Sequence, residues 1–147
     1  MNKNKDFTSS IQVDKSPAEV FNAINNVRDW WQGEITGKTD KLNAEFSYKM
    51  NDVHFSKQKI VELVPGKKVV WLVTESNLSF VARHDEWTNT TIQFDISSEN
   101  GKTNLTFTHY GLVPAFECYG GCSGAWESLI QKSLFSYITT GKGVNVF

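Results

Sequence analysis

Arginine is nearly missing from this chain. Only Arg28 and Arg83 stand among its fifteen basic residues, and the net charge is −1. A nucleic-acid binder needs a basic surplus, usually rich in arginine, so that class is excluded as the first reading. Long apolar runs are missing too. The longest, Val69 to Val73, is far too short for a membrane helix, so no membrane insertion is expected. The N-terminus, Met1-Asn2-Lys3-Asn4-Lys5-Asp6, is polar and leads into no apolar stretch, which argues against a secretory signal. Cysteine is scarce, with Cys118 and Cys122 alone, and a cytoplasmic location with reduced thiols is the expectation. The three histidines, His54, His84 and His109, lack the short paired spacing of a zinc site, so no metal is expected. Dinucleotide, Walker and kinase motifs are absent as well, and no cofactor is expected.

Large rings are what the chain has in plenty: five Trp, ten Phe and four Tyr in 147 residues, a length that suits one domain spanning 1–147. The three prolines, Pro17, Pro65 and Pro114, stand at boundaries between patterned segments. Phe7, Ser9, Ile11 and Val13 alternate with polar residues as a first strand. Ser16-Pro17-Ala18-Glu19 then reads as a capping box opening a short helix, with a second helical piece around Val27, Trp30 and Trp31. A loop follows from Gly33 to about Asn43.

Strands are expected at Phe46–Met50, at Val53–Val64 and at Lys68–Thr74, the last two joined by the turn Val64-Pro65-Gly66-Lys67. The stretch 77–89 is less patterned. Phe80 and Val81 suit a short strand, and Arg83-His84-Asp85-Glu86 reads as a solvated turn. Two more strands, around Ile92–Ile96 and Leu105–His109, flank an Asn100-Gly101 hairpin turn. From about Ala115 to Thr140 a long helix closes the pattern, with Gly141 as its stop. Cys122, Trp126, Leu129, Ile130, Ser133, Leu134, Tyr137 and Ile138 share one stripe, while Glu127, Gln131 and Lys132 fall opposite. The order β, two short helices, about six to seven antiparallel strands and a long helix defines an α+β fold, with a curved sheet wrapped on the last helix.

This order, and four stretches within it, resemble the helix-grip fold of START-like (SRPBCC, birch-pollen-allergen-like and polyketide-cyclase-like) proteins. The branch it resembles most is that of the activator of the heat-shock-protein-90 ATPase. The stretches are Ile11 to Phe21, Val61 to Trp71, Thr103 to Leu112 and Gly124 to Leu129. The resemblance implies a cavity between sheet and helix that often holds an apolar ligand, but no shared catalytic set. It also brings in a heat-shock ATPase as a partner, for which no residue motif argues.

The residues expected to line such a cavity are Trp30, Trp31, Phe46, Tyr48, His54, Trp71, Phe80, His109, Tyr119 and Trp126. Any one of these rings is most simply core, but as a set they exceed what a small core needs. His109 follows Leu105 and Phe107 on an inward face, where a satisfied core histidine is the simplest reading. A polar anchor or acid/base group is the alternative, and the same holds for His54 at its strand end. Gly120-Gly121-Cys122-Ser123-Gly124 imitates a nucleophile elbow, but no strand leads into it and no histidine follows. These glycines are expected either to bend the helix or to leave room for a ligand. The functional expectation is binding of a small hydrophobic or amphipathic molecule. A co-chaperone-like interaction module and a cyclase- or hydrolase-like enzyme using a cavity histidine are the alternatives.

Overall fold

A computed structural model describes residues 6–31, 33–51, 53–79, 81–82, 84–113 and 119–146. Seven strands form one antiparallel sheet in the order β1-β7-β6-β5-β4-β3-β2. They are β1 (Phe7–Val13), β2 (Glu34–Gly37), β3 (Glu45–Met50), β4 (His54–Val64), β5 (Lys68–Leu78), β6 (Thr91–Glu99) and β7 (Lys102–Tyr110). Helix α1 (Pro17–Asn25) and a 3-10 turn (Val27–Asp29) carry the chain from the β1 edge to the β2 edge. The long helix runs in three stretches: α2 (Tyr119–Ser128), a π-helical segment (Leu129–Leu134) and α3 (Phe135–Thr140). None of the described helices is long and apolar enough to cross a membrane.

Local chemistry accounts for most boundaries. Ser16 Oγ accepts from the Glu19 amide at 3.1 Å and Glu19 Oε1 accepts from the Ser16 amide at 3.0 Å, so the capping box is complete. Ser16→Ala should cost about 1 kcal/mol, read from urea unfolding curves; an unchanged midpoint would show that the cap adds nothing. Asn100 and Gly101, with φ of 54° and 81°, make the left-handed pair that the hairpin between β6 and β7 requires. Gly141, at φ 87°, ends α3, and its amide donates to the Tyr137 carbonyl at 2.9 Å.

Two features depart from the pattern of the sequence. Residues 34–37, expected within a loop, form β2, which pairs with β3 from Glu34↔Lys49 to Gly37↔Phe46. Four residues at a sheet edge, only partly covered, show too little alternation to be read as a strand. β5 also runs past Thr74 to Leu78, in register with the start of β4. Register shifts at Lys57/Gln58 and Ile60/Glu62 mark irregularities along this pair, which increase the bend of the sheet.

The concave face carries Ile60, Trp71, Phe94, Leu105 and Phe107, all fully buried, against Val20, Ile24, Trp30, Ile130 and Leu134 from the helices. The π-helical segment places two adjacent pairs inward, Leu129 with Ile130 and Ser133 with Leu134. Its wider turn also alters where Gln131 points. Rather than facing solvent, its Nε2 donates to Ser9 Oγ (2.8 Å) and to the Ser10 carbonyl (2.9 Å), fastening the helix to β1. Ser133 Oγ donates to the Trp30 carbonyl at 2.6 Å and accepts from the Val144 amide at 3.1 Å, so it ties the helix to the turn before β2.

Candidate functional site

Between the sheet and α2 lies a cavity of about 350 Å³. β3 contributes Tyr48 and Met50, two residues apart and therefore on one face. Val53 comes from the turn before β4 and His54 from its first position, Trp31 from the turn after α1, and Trp87 from the segment between β5 and β6. The helix lines the space with Gly121, Cys122, Ala125, Trp126 and Leu129, at the 1, 2, 5, 6, 9 rhythm of one helical face. No Lys, Arg, Asp or Glu occurs among these described lining residues.

Of the residues singled out in the sequence, Trp31, Tyr48, His54 and Trp126 surround this space. Trp30, Phe46 and Trp71 sit deeper in the core and do not reach it; Trp71 meets Phe46 edge-on at 5.0 Å and Phe94 at 5.0 Å. Tyr119 packs half-buried against the core at the start of α2. Phe80, together with Cys118 and the beginning of the expected helix, lies outside the described residues. Trp87, a central ring of the site, escaped the sequence reading. It follows Arg83-His84-Asp85-Glu86, which looks like a solvated turn, yet Glu86 and Trp87 are both buried. A tryptophan in a polar segment was the available signal, because so large a ring is seldom left in water.

His109 is a core histidine whose tautomer follows from its neighbours. The Trp126 indole N–H can only donate, and it meets His109 Nδ1 at 3.1 Å. Nδ1 is therefore unprotonated and Nε2 carries the proton, which it donates to Thr90 Oγ1 at 2.8 Å. Thr90 in turn donates to the Trp87 carbonyl at 2.5 Å. Burial pulls the pKa of His109 down to about 3, helped by nearby His54. Both ring nitrogens are occupied, so neither is available to move a proton for a ligand. His109 instead locks Trp126 onto the segment that carries Trp87.

His54 is placed differently. Its Nε2 lies 3.3 Å from Ser56 Oγ, which accepts from Gln58 Nε2 at 2.6 Å, and its Nδ1 has no hydrogen-bond partner among the described residues. Burial lowers its pKa to about 4, so at neutral pH the ring is uncharged. The Tyr48 phenol is driven well above its ordinary range by burial, against the opposing effect of a hydrogen bond from Trp31. The described residues of the site are thus all neutral. No group of three or more His, Cys, Asp or Glu side chains among the described residues could hold a metal ion.

The glycines of α2 serve no close packing among the described residues. A Cβ at Gly120, Gly121 or Gly124 would meet no described atom within 4 Å, and Gly121 stands at the cavity wall. Gly124→Ala should stabilise the helix by up to about 1 kcal/mol, because it replaces the flexible residue without a clash. Thermal unfolding of this variant checks the point; a lower midpoint would mean that the bare backbone is needed.

A seven-stranded sheet gripping a long helix, with a cavity between them, defines a helix-grip protein of the START-like (SRPBCC) class. Residues 14–139 match the family model described as "Activator of Hsp90 ATPase homolog 1-like protein", and the chain belongs to that family. No curated protein sequence matches the chain. Among solved structures it is similar to the Aha1 dimer from Colwellia psychrerythraea, with 21% identity and a TM-score of 0.75, covering 94% of this chain and 98% of that one. It is also similar to protein SSP2350 from Staphylococcus saprophyticus (14% identity, TM-score 0.67, 97% of each chain). DynU16, from the dynemicin biosynthetic locus, matches at 14% identity and a TM-score of 0.68 over 96% of this chain, which spans about half (49%) of DynU16. At these identities the likeness is one of fold.

Proposed function

We propose that this protein binds a small apolar or amphipathic molecule in the cavity between the sheet and the long helix. The observation that carries the reading is an apolar space of about 350 Å³ walled by Trp31, Tyr48, His54, Trp87 and Trp126 in a chain of this size. That volume lies in the range of small-molecule sites, about 300–1,000 Å³. The cavity walls are almost wholly apolar, so an occupant that covers them removes apolar surface from water and binds with a favourable apolar term. Native mass spectrometry of the purified protein with added sterols, fatty acids and aromatic polyketides tests the reading, and a chain that retains none of them overturns it. Gly121→Trp, which projects a ring from the cavity wall, should abolish retention while leaving the circular dichroism spectrum intact.

A second reading, interaction with an Hsp90-type ATPase, has the family match as its support. Its test is the hydrolysis rate of a bacterial Hsp90 with and without this protein; an unchanged rate removes it. Acid/base catalysis by His109 gains no support from the geometry, since both of its nitrogens are engaged.

A further inference from the structure

Five rings that line the cavity touch in a closed circuit. Trp31 lies on Tyr48, with centroids 4.0 Å apart and planes at 16°. Tyr48 meets His54 at 5.1 Å and 75°, and His54 meets Trp87 at 4.6 Å and 80°. Trp87 stacks beside Trp126 at 5.8 Å and 14°, and Trp126 returns to Trp31 at 5.0 Å and 45°. Rings that merely fill a core contact one another without surrounding a space, as Trp71, Phe94 and Phe107 do here. This circuit borders the cavity at every member.

The walls discriminate among guests. An anion would find no described lysine or arginine in the lining, and its charge would be buried unpaired. A primary ammonium needs acceptors for three N–H groups, and the walls offer mostly ring carbon. A planar aromatic guest needs two parallel walls roughly 7 Å apart, twice the optimal contact distance. The near-parallel pairs here, at 4.0 and 5.8 Å, already touch each other and leave no slot. The remaining angles of 75°, 80° and 45° turn the wall around a compact guest instead. A quaternary ammonium carries a charge that no described acidic side chain in the lining pairs, but it is compact, weakly hydrated and has no N–H to satisfy, and the negative faces of indole and phenol rings offset that charge.

We infer that the circuit Trp31, Tyr48, His54, Trp87 and Trp126 is a cage for the quaternary ammonium head of an amphipathic ligand. This rests on the reading that the cavity binds a ligand at all, and narrows the class of that ligand. His54 supports it by being uncharged near neutral pH, so it does not repel the head. Beyond the cage, Met50, Cys122 and Leu129 leave apolar wall for the stem.

Acetylcholine and neohexyl acetate have the same shape and differ in the charge of the quaternary atom, so NMR titration of the full chain with both isolates the effect of charge. The cage should bind the cation at least about tenfold more tightly than its neutral isostere. Protein made with fluorinated tryptophans keeps the shape of the walls and weakens their negative faces. Affinity for the cation should then fall with each added fluorine, while affinity for the neutral isostere holds. Equal affinities, a preference for the neutral molecule, or indifference to fluorination overturn the cage but leave cavity binding standing. Binding of neither molecule overturns the cage; failure of the sterol, fatty-acid and polyketide trial as well removes cavity binding with it.

Discussion

Trp126→Ala should destabilise the fold by about 5 kcal/mol, the sum of a large cavity and one buried acceptor left bare. Trp126 is 1% exposed and touches Trp31, Trp87, Phe107 and His109, so its removal opens the centre of the interface between helix and sheet. It also removes the indole N–H that satisfies His109 Nδ1 in the core. Trp126→Phe separates the two effects, since it keeps a ring and deletes the donor. That change should cost about 1–3 kcal/mol, most of it the unpaired imidazole nitrogen. Urea unfolding of the three proteins checks both figures. A phenylalanine variant as stable as the parent would mean that the bond to His109 contributes nothing.

Acid should weaken the fold well above the pH at which carboxylates titrate. The sign follows from the unfolded chain binding protons more readily than the folded one. His109 titrates near 6.5 when unfolded and at about 3 when folded. Its contribution is whole above about pH 6.5 and is lost as pH falls toward 3. Between pH 7 and 5 His109 alone should remove about 2 kcal/mol, with His54 adding in the same direction because its folded pKa is about 4. Asp and Glu are largely silent in that window. A urea midpoint that is flat from pH 7 to 5 would show that His109 is not held neutral. His109→Gln should be less stable at pH 7 but show a shallower slope, a pairing that packing loss alone does not produce.

The periodic parts of the sequence carried the architecture. Alternation along β1, β3, β4, β6 and β7 and the stripe from Cys122 to Ile138 were enough to specify a sheet gripping a helix. What they could not convey was distance between elements. Trp31 and Trp71 both read as cavity-lining in the sequence, and only the packing of distant elements puts one at the cavity and the other in the core. His109 shows the same limit: its inward position follows from alternation, whereas its role depends on Trp126 and Thr90, contributed by two other segments. Trp87 was hidden by its polar neighbours, because burial there comes from a tertiary contact and not from any period.

The pairing of β1 with β7 has a consequence for synthesis. Hydrogen bonds across this ladder join residues 92 to 100 positions apart, from Gln12–Asn104 to Thr8–Thr108. At a ribosomal pace of about 5–20 residues per second, the first strand waits roughly 5–20 s for its partner. Such distant contacts also slow folding after release, since the loop must close before the ladder forms. Nascent chains arrested before residue 119 should therefore be digested readily by protease, and resistant chains at that length would contradict this order of events. Until the long helix emerges, the rings that later surround the cavity lack its cover, and the nascent chain is most open to aggregation or to chaperone capture in the seconds before residues 119–140 are made.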